Sequence, residues 1–127
     1  ENRKVMPVNA IHERAKISDS ASIGHGNFIN AQSFVGAQSQ VGHHNILNSG
    51  AIIDHNCLIG DFVQIGAGTT INSGVEIEDE VFIGSGVTIV SGVKISKKAR
   101  IGAGSVVISD VGKGETVFGN PAVKIDK

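Results

Sequence analysis

The sequence predicts an all-β solenoid, a single-stranded parallel β-helix of nearly six triangular coils. Three observations carry that prediction. An aliphatic residue recurs every six positions from Ile11 through Ile53 and Ile59 to Val107, seventeen times without an insertion. The fifth position of each hexad is small or compact, from Ala15 and Asn27 to Cys57, Val63 and Val111. Glycine clusters at the second and fourth positions, as at Gly60, Gly66, Gly68 and Gly74. Such a fixed short period is the signature of a stacked repeat.

Each position of the hexad then has a job. A period of six cannot line one side of an α-helix, whose apolar stripe repeats every 3.6 residues. The fifth residue of one hexad and the first of the next are two apart, so both point to the same side of a short strand. The second to fourth positions form the turn, where Gly or Asn tolerates positive φ. Three strand–turn units close one coil of eighteen residues, and stacked coils bury the aliphatic column. Residues 11–112 are therefore expected to form the β-helix, residues 1–10 a linker or the end of a preceding domain, and residues 113–127 a closing segment. The chain opens Glu1-Asn2 without Met, which fits a fragment of a longer protein.

Composition removes several function classes. Eleven Lys and Arg against twelve Asp and Glu give a net charge of −1 in 127 residues, unlike a general nucleic-acid binder. No apolar run is long enough to span a bilayer, and no signal-peptide pattern is visible. A lone cysteine excludes an internal disulfide framework and fits a reducing, cytoplasmic setting.

Residues eighteen apart stack on one corner of the prism. One corner stacks Ala37-Gln38, His55-Asn56, Ser73-Gly74 and Ser91-Gly92. A second stacks Ser49-Gly50, Ala67-Gly68, Ser85-Gly86 and Ala103-Gly104. The third is bulky and charged: His25-Gly26, His43-His44, Asp61-Phe62, Asp79-Glu80 and Lys97-Lys98. The first two corners leave room for a ligand to lie along them. The face between them carries Phe34, Ile52, Thr70, Thr88 and Val106 outward, with no charge in these layers. An apolar column of this kind predicts a contact surface, here a homotrimer whose grooves pair the histidine corner of one subunit with the small corner of the next. Residues 17–93 contain no Lys or Arg, whereas Lys94, Lys97, Lys98, Arg100, Lys113, Lys124 and Lys127 crowd the C-terminal third. A long ligand with a phosphorylated end is expected to place that end there.

His55 is the one histidine on a small-lined corner. Asp54 and Asn56 flank it and are candidates to orient its ring, leaving one ring nitrogen as a general base near neutral pH. Cys57 falls on an inward position and reads as a core residue. His25 and His43 stack eighteen apart with Asp61 next in the column, a possible zinc set. The paired histidines five apart that γ-class carbonic anhydrases use do not occur, so that zinc enzyme and a noncatalytic scaffold stand as the readings of another class.

The hexads, the segment Asp54-His55-Asn56-Cys57 followed by Ile59-Gly60-Asp61-Phe62, and the closing Ile101-Gly102-Ala103-Gly104-Ser105 and Gly119-Asn120-Pro121-Ala122 together resemble the hexapeptide-repeat acetyltransferases. The resemblance covers about residues 8 to 125. The histidine segment is most similar to sialic acid O-acetyltransferases and to N-acetyltransferases of nucleotide-linked 4-amino sugars. The resemblance implies a left-handed helix, against the right-handed rule for crossovers generally. It implies acetyl-CoA as co-substrate, no metal, a homotrimer, and a sugar or nucleotide-sugar acceptor, with no nucleic-acid or membrane partner. His55 would be the base, assisted by Asp54 and Asn56, with a backbone N–H near Ser73 or Gly74 as oxyanion donor. The pantetheine arm would run over Ser73, Gly74, Ser91 and Gly92 and the facing Ala67, Ser85 and Ala103, with Lys97 and Arg100 at the phosphates. Gln64 would contact the acceptor. It stands where some amino-sugar N-acetyltransferases carry a second histidine, and Asn56 stands where relatives often carry an acid. Relatives also commonly have an N-terminal Rossmann-like domain for the sugar nucleotide, and no βαβ unit is present in these residues.

Overall fold

The six-residue period becomes one short strand and one turn, repeated with little variation. A computed structural model describes residues 8–125. Seventeen two-residue strands, from β1 (Ala10–Ile11) to β17 (Val106–Val107), follow at six-residue intervals. Every third strand pairs in parallel with a register shift of eighteen: Ala10 with Phe28, Thr70 with Thr88, Glu76 with Lys94. Three sheets of eight, six and five strands result. Sheet A presents Phe28, Ile46, Gln64, Phe82 and Arg100 outward. Sheet B presents Phe34, Ile52, Thr70, Thr88 and Val106. Sheet C presents Gln40, Leu58, Glu76 and Lys94. The architecture is the predicted left-handed parallel β-helix of about six coils.

The strands begin and end a little outside the predicted limits. Ala10 already lies in β1, and the Gly26 N–H donates to the Val8 carbonyl at 2.7 Å. Most of the expected linker, residues 1–7, lies outside the described residues. At the other end β18 (Thr116–Gly119) extends sheet A beside Arg100–Ile101, and β19 (Ala122–Lys124) turns back antiparallel to it. The closing segment therefore pairs with the coils.

The interior holds the aliphatic column, with Ile53, Ile65, Ile71 and Ile89 completely buried. Some fifth positions are polar and equally buried: Asn27, Ser33, Ser39, Asn45, Thr69 and Ser105. Their polar atoms are spent on the next coil, as burial demands. Asn45 Oδ1 accepts the Val63 N–H at 2.7 Å and its Nδ2 donates to the Gly60 carbonyl at 2.9 Å. Asn27 does the same for Asn45 N–H and the Gly42 carbonyl. Each of these two asparagines thus bridges the two ends of the turn in the next coil.

The two glycine positions turn out to have different causes, which corrects the single conformational reading of both. The fourth residue of every hexad from Gly26 to Gly104 has positive φ, whether glycine or not; Asn56 sits at 59° and Phe62 at 58°. The second-position glycines do not. They are small because coils stack closely: a Cβ on Gly36 would meet the Asp54 carbonyl carbon at 2.7 Å and the His55 nitrogen at 2.8 Å. Among the described residues no helix is long and apolar enough to cross a membrane.

Candidate active site

His55 projects from the corner where sheet B passes into sheet C and is exposed. Its turn is held on several sides. The Asn56 N–H donates to the Ala37 carbonyl one coil earlier at 3.0 Å, and the Gly74 N–H, one coil later, donates to the His55 carbonyl at 3.2 Å. Asp54 Oδ1 accepts the His55 backbone N–H at 2.8 Å. This corrects the expected role of Asp54: its carboxylate fixes the histidine's backbone, and the imidazole has no hydrogen bond to it or to Asn56. Asn56 is exposed and supplies the left-handed residue of the turn.

Ser73 and Ser91 follow His55 down the same corner, with their hydroxyls 3.3 Å apart. The Gly92 N–H donates to the Ser73 carbonyl at 3.1 Å. Gly74 is excluded as an oxyanion donor because its N–H is already on His55. The Ser73 N–H has no partner among the described residues and remains the donor within reach of this corner. Across sheet B, Ala67, Ser85 and Ala103 stack on the small corner and are exposed. Their N–H groups are likewise free of partners among the described residues.

The third corner behaves differently. There side chains cover most of the equivalent amides: His43 Nδ1 accepts the His25 N–H at 3.0 Å, and Asp61 Oδ1 accepts that of His43 at 2.8 Å. Sequence alone would not separate bare amides from capped ones, because the separation depends on which side chain stacks eighteen residues later.

The glycines on the two small corners add a second contrast. A Cβ on Gly68, Gly86, Gly92 or Gly104 would meet nothing within 4 Å. Non-glycine residues hold the same positive φ at Gln38, Asn56 and Lys98. Packing therefore does not require glycine there, positive φ favours it, and the bare backbone leaves two open tracks. Both tracks border sheet B, so one subunit holds them on opposite edges of that sheet. A two-sided groove needs a corner from each of two subunits. Exposed apolar side chains are not confined to sheet B, however: Phe28 on sheet A is 57% exposed and Leu58 on sheet C 45%.

Three expected site residues lie away from these tracks. Lys97 is on the third corner, its N–H donating to Glu78 Oε1 at 2.9 Å. That bond is the main cause holding the Glu78 carboxyl below its ordinary value. Arg100 is on sheet A, its guanidinium 4.9 Å from the centre of the Phe82 ring. Gln64 is on sheet A as well, opposite the histidine corner, and the core separates it from His55 of the same chain. Among the described residues no group of three or more His, Cys, Asp or Glu side chains is gathered to hold a metal ion. Cys57 is fully buried as expected, and burial pushes its thiol above the ordinary value of 9.0.

The family profile "Bacterial transferase hexapeptide (six repeats)" matches residues 56–91 and 74–109. Residues 56–109 are thus similar to the bacterial transferase hexapeptide family. Solved structures superpose over nearly all of this hexapeptide-repeat chain. PerB from Caulobacter crescentus, in complex with CoA and GDP-perosamine, is 33% identical with a TM-score of 0.93, covering 94% of this chain and 58% of PerB. A histidine-to-alanine variant of GDP-perosamine N-acetyl transferase from the same bacterium, with the same two ligands, is 31% identical with a TM-score of 0.92 over 95% of this chain and 58% of its own. The acetyltransferase domain of PglB from Neisseria gonorrhoeae, in complex with acetyl coenzyme A, is 36% identical with a TM-score of 0.89, over 92% and 57%. The chain thus spans under three-fifths of the length of these proteins. No curated protein sequence matches it significantly.

Proposed function

We propose that this chain transfers acetyl from acetyl-CoA to the amine of a nucleotide-linked amino sugar, with His55 as general base. The observation that carries the reading is the pair of bare glycine tracks with free amides, one of which leads directly from His55. An extended chain of amides, such as pantetheine, finds donors there and no side chain in its way. The similarity to CoA-bound sugar acetyltransferases supports the same reading. The transfer unit is residues 11–112, with residues 113–127 closing its C-terminal end.

In the proposed mechanism the pantetheine arm lies along Ser73 and Ser91 and the facing Ala67, Ser85 and Ala103 of a neighbour. The acceptor nitrogen attacks the thioester carbonyl carbon while His55 removes its proton. The carbonyl oxygen becomes an oxyanion, and the free Ser73 N–H donates to it. The C–S bond then breaks, and the proton held on His55 passes to the departing sulfur. Asp54 keeps the histidine backbone in place. Because the tracks lie on opposite edges of sheet B, the working unit is a homotrimer, in the cytoplasm where acetyl-CoA is available. Gln64 would then approach His55 from a neighbouring subunit.

Charge favours an amine over the hydroxyl of an acidic sugar such as sialic acid. Between residues 17 and 93 there are seven acids and no Lys or Arg. That field attracts an ammonium and repels a carboxylate. Gln64, in place of a second histidine, is the feature that favours O-acetylation instead.

The test is calorimetric titration with acetyl-CoA, with zinc titrated in parallel, followed by thiol release in the presence of GDP-perosamine or of sialic acid. One CoA per subunit with thiol release only on the amine is expected. Release only on sialic acid moves the assignment to O-acetylation. Tight zinc uptake without CoA binding replaces the reading with a metal enzyme, and binding of neither leaves a scaffold.

A further inference from the structure

We infer that Ser39 is a positioning residue for His55, acting through a hydroxyl inserted into the histidine turn. The inference rests on His55 being the base. Eight of the seventeen hexad turns among the described residues close directly, the fourth residue's N–H donating to the first residue's carbonyl. Ala51 closes on Asn48 at 3.0 Å, Ala99 on Ser96 at 3.1 Å, and Ser39 itself on Gly36 at 3.3 Å. The Asp54–Cys57 turn has no such bond. Ser39, completely buried one coil earlier, takes its place. Its Oγ accepts the Cys57 N–H at 3.0 Å and donates to the Asp54 carbonyl. One hydroxyl therefore holds both ends of the turn that displays His55.

The bridging continues into the next layer of the site. Cys57 Sγ donates to the Asn72 carbonyl at 3.2 Å, at the start of the turn that carries Ser73. Ser39 and Cys57 thus run beneath the histidine and serine turns in succession. The same device occurs at Thr69, whose Oγ1 donates to the Gly84 carbonyl at 2.9 Å and accepts the Val87 N–H at 3.3 Å. Threonine is therefore able to do this job.

Removing the hydroxyl leaves the Asp54 carbonyl and Cys57 N–H facing one another. The turn then either closes directly, as the Asn48–Ala51 turn does, or stays open; in both cases its ends shift and His55 moves with them. Proton transfer is sensitive to displacements of this size: about 1 Å can cost about 100-fold in rate.

The experiment uses Ser39→Ala, Ser39→Thr and Ser39→Cys in the whole chain. Ring resonances of the five histidines are followed by NMR, and turnover is measured with acetyl-CoA and the acceptor that releases thiol. Ser39→Ala is expected to shift the His55 resonance while leaving His43 and His44 unchanged. It is expected to lower kcat at least about tenfold with acetyl-CoA affinity within about twofold. Ser39→Thr restores both. A folded Ser39→Ala with an unmoved His55 resonance and wild-type kcat overturns the inference, as does loss in Ser39→Ala without rescue by threonine. If Ser39→Ala does not fold, Ser39→Cys decides: a moved His55 resonance supports the inference and an unmoved one overturns it. His55→Ala separates the two levels. Full turnover in that variant removes the base itself. Lost turnover there, with Ser39→Ala unaffected, removes only the role of Ser39.

Discussion

The amide of Gly74 donates to the carbonyl of His55 at 3.2 Å, so the coil that carries Ser73 is fastened to the histidine through its backbone. The arrangement puts the histidine, a free amide and a serine track on one corner. It also makes the histidine side chain removable without collapse of the corner, because every bond of its turn uses backbone atoms or neighbouring side chains.

His55→Ala is therefore expected to fold and to bind CoA normally while turnover falls at least about 100-fold, the low end for a general base. Steady-state rates and a CoA titration on the same sample check this. Near-normal turnover would remove His55 from the mechanism.

Ser91→Trp places an indole across the serine track, where the residue is exposed and carries no structural bond except that to Ser73. CoA affinity is expected to drop at least about tenfold, which corresponds to about 1.4 kcal/mol, with the thermal midpoint unchanged. Unchanged affinity would put the ligand elsewhere.

Light scattering is expected to give three times the 13.1 kDa subunit mass. Thr70→Arg, in the middle of sheet B, is expected to produce monomers that no longer bind CoA, because each groove needs two chains. Monomers in the wild type at micromolar concentration would sink the interface on sheet B.

Asn45→Ala is expected to cost about 2–5 kcal/mol, since it leaves the Val63 N–H and the Gly60 carbonyl without their partner. Urea unfolding reads this directly. A loss below about 1 kcal/mol would mean that the Gly60–Val63 turn closes on itself at no penalty.

The Cys57 thiol has a pH signature with a definite sign. Burial raises its pKa, so the folded state holds the proton longer than the unfolded chain. Its contribution is complete below the ordinary thiol value of 9.0 and is lost as pH rises from there through the folded value. Wild type is therefore expected to lose stability above pH 9 more steeply than Cys57→Ala. Parallel alkaline limbs for the two would show that the thiol is not protected.

The helix itself was legible because its period is local. Each hexad repeats the same inward, outward and turn positions, so the column placed the core, which is buried from Ile29 to Val107 while Ile11 is exposed, and the eighteen-residue stacking placed His55 above Ser73 and Ser91. The role of Asp54 was not legible, because adjacency to a histidine does not say whether a carboxylate meets the ring or the backbone N–H. Nor was the glycine at Gly36 separable from that at Gly74 by type; one answers to a close approach of coils and the other to a turn.

What the residues determined by themselves was periodicity: the solenoid, its buried column, and which side chains share a corner. What only the tertiary structure decided was the use of each polar atom. Lys97 and Arg100 share the C-terminal coils with the tracks, yet the faces they occupy turn them away. Ser39 looked like one more small residue, until stacking brought its hydroxyl between Asp54 and Cys57. Hydrogen bonds between coils join residues about eighteen apart with directional geometry, and a one-dimensional pattern carries spacing but not direction.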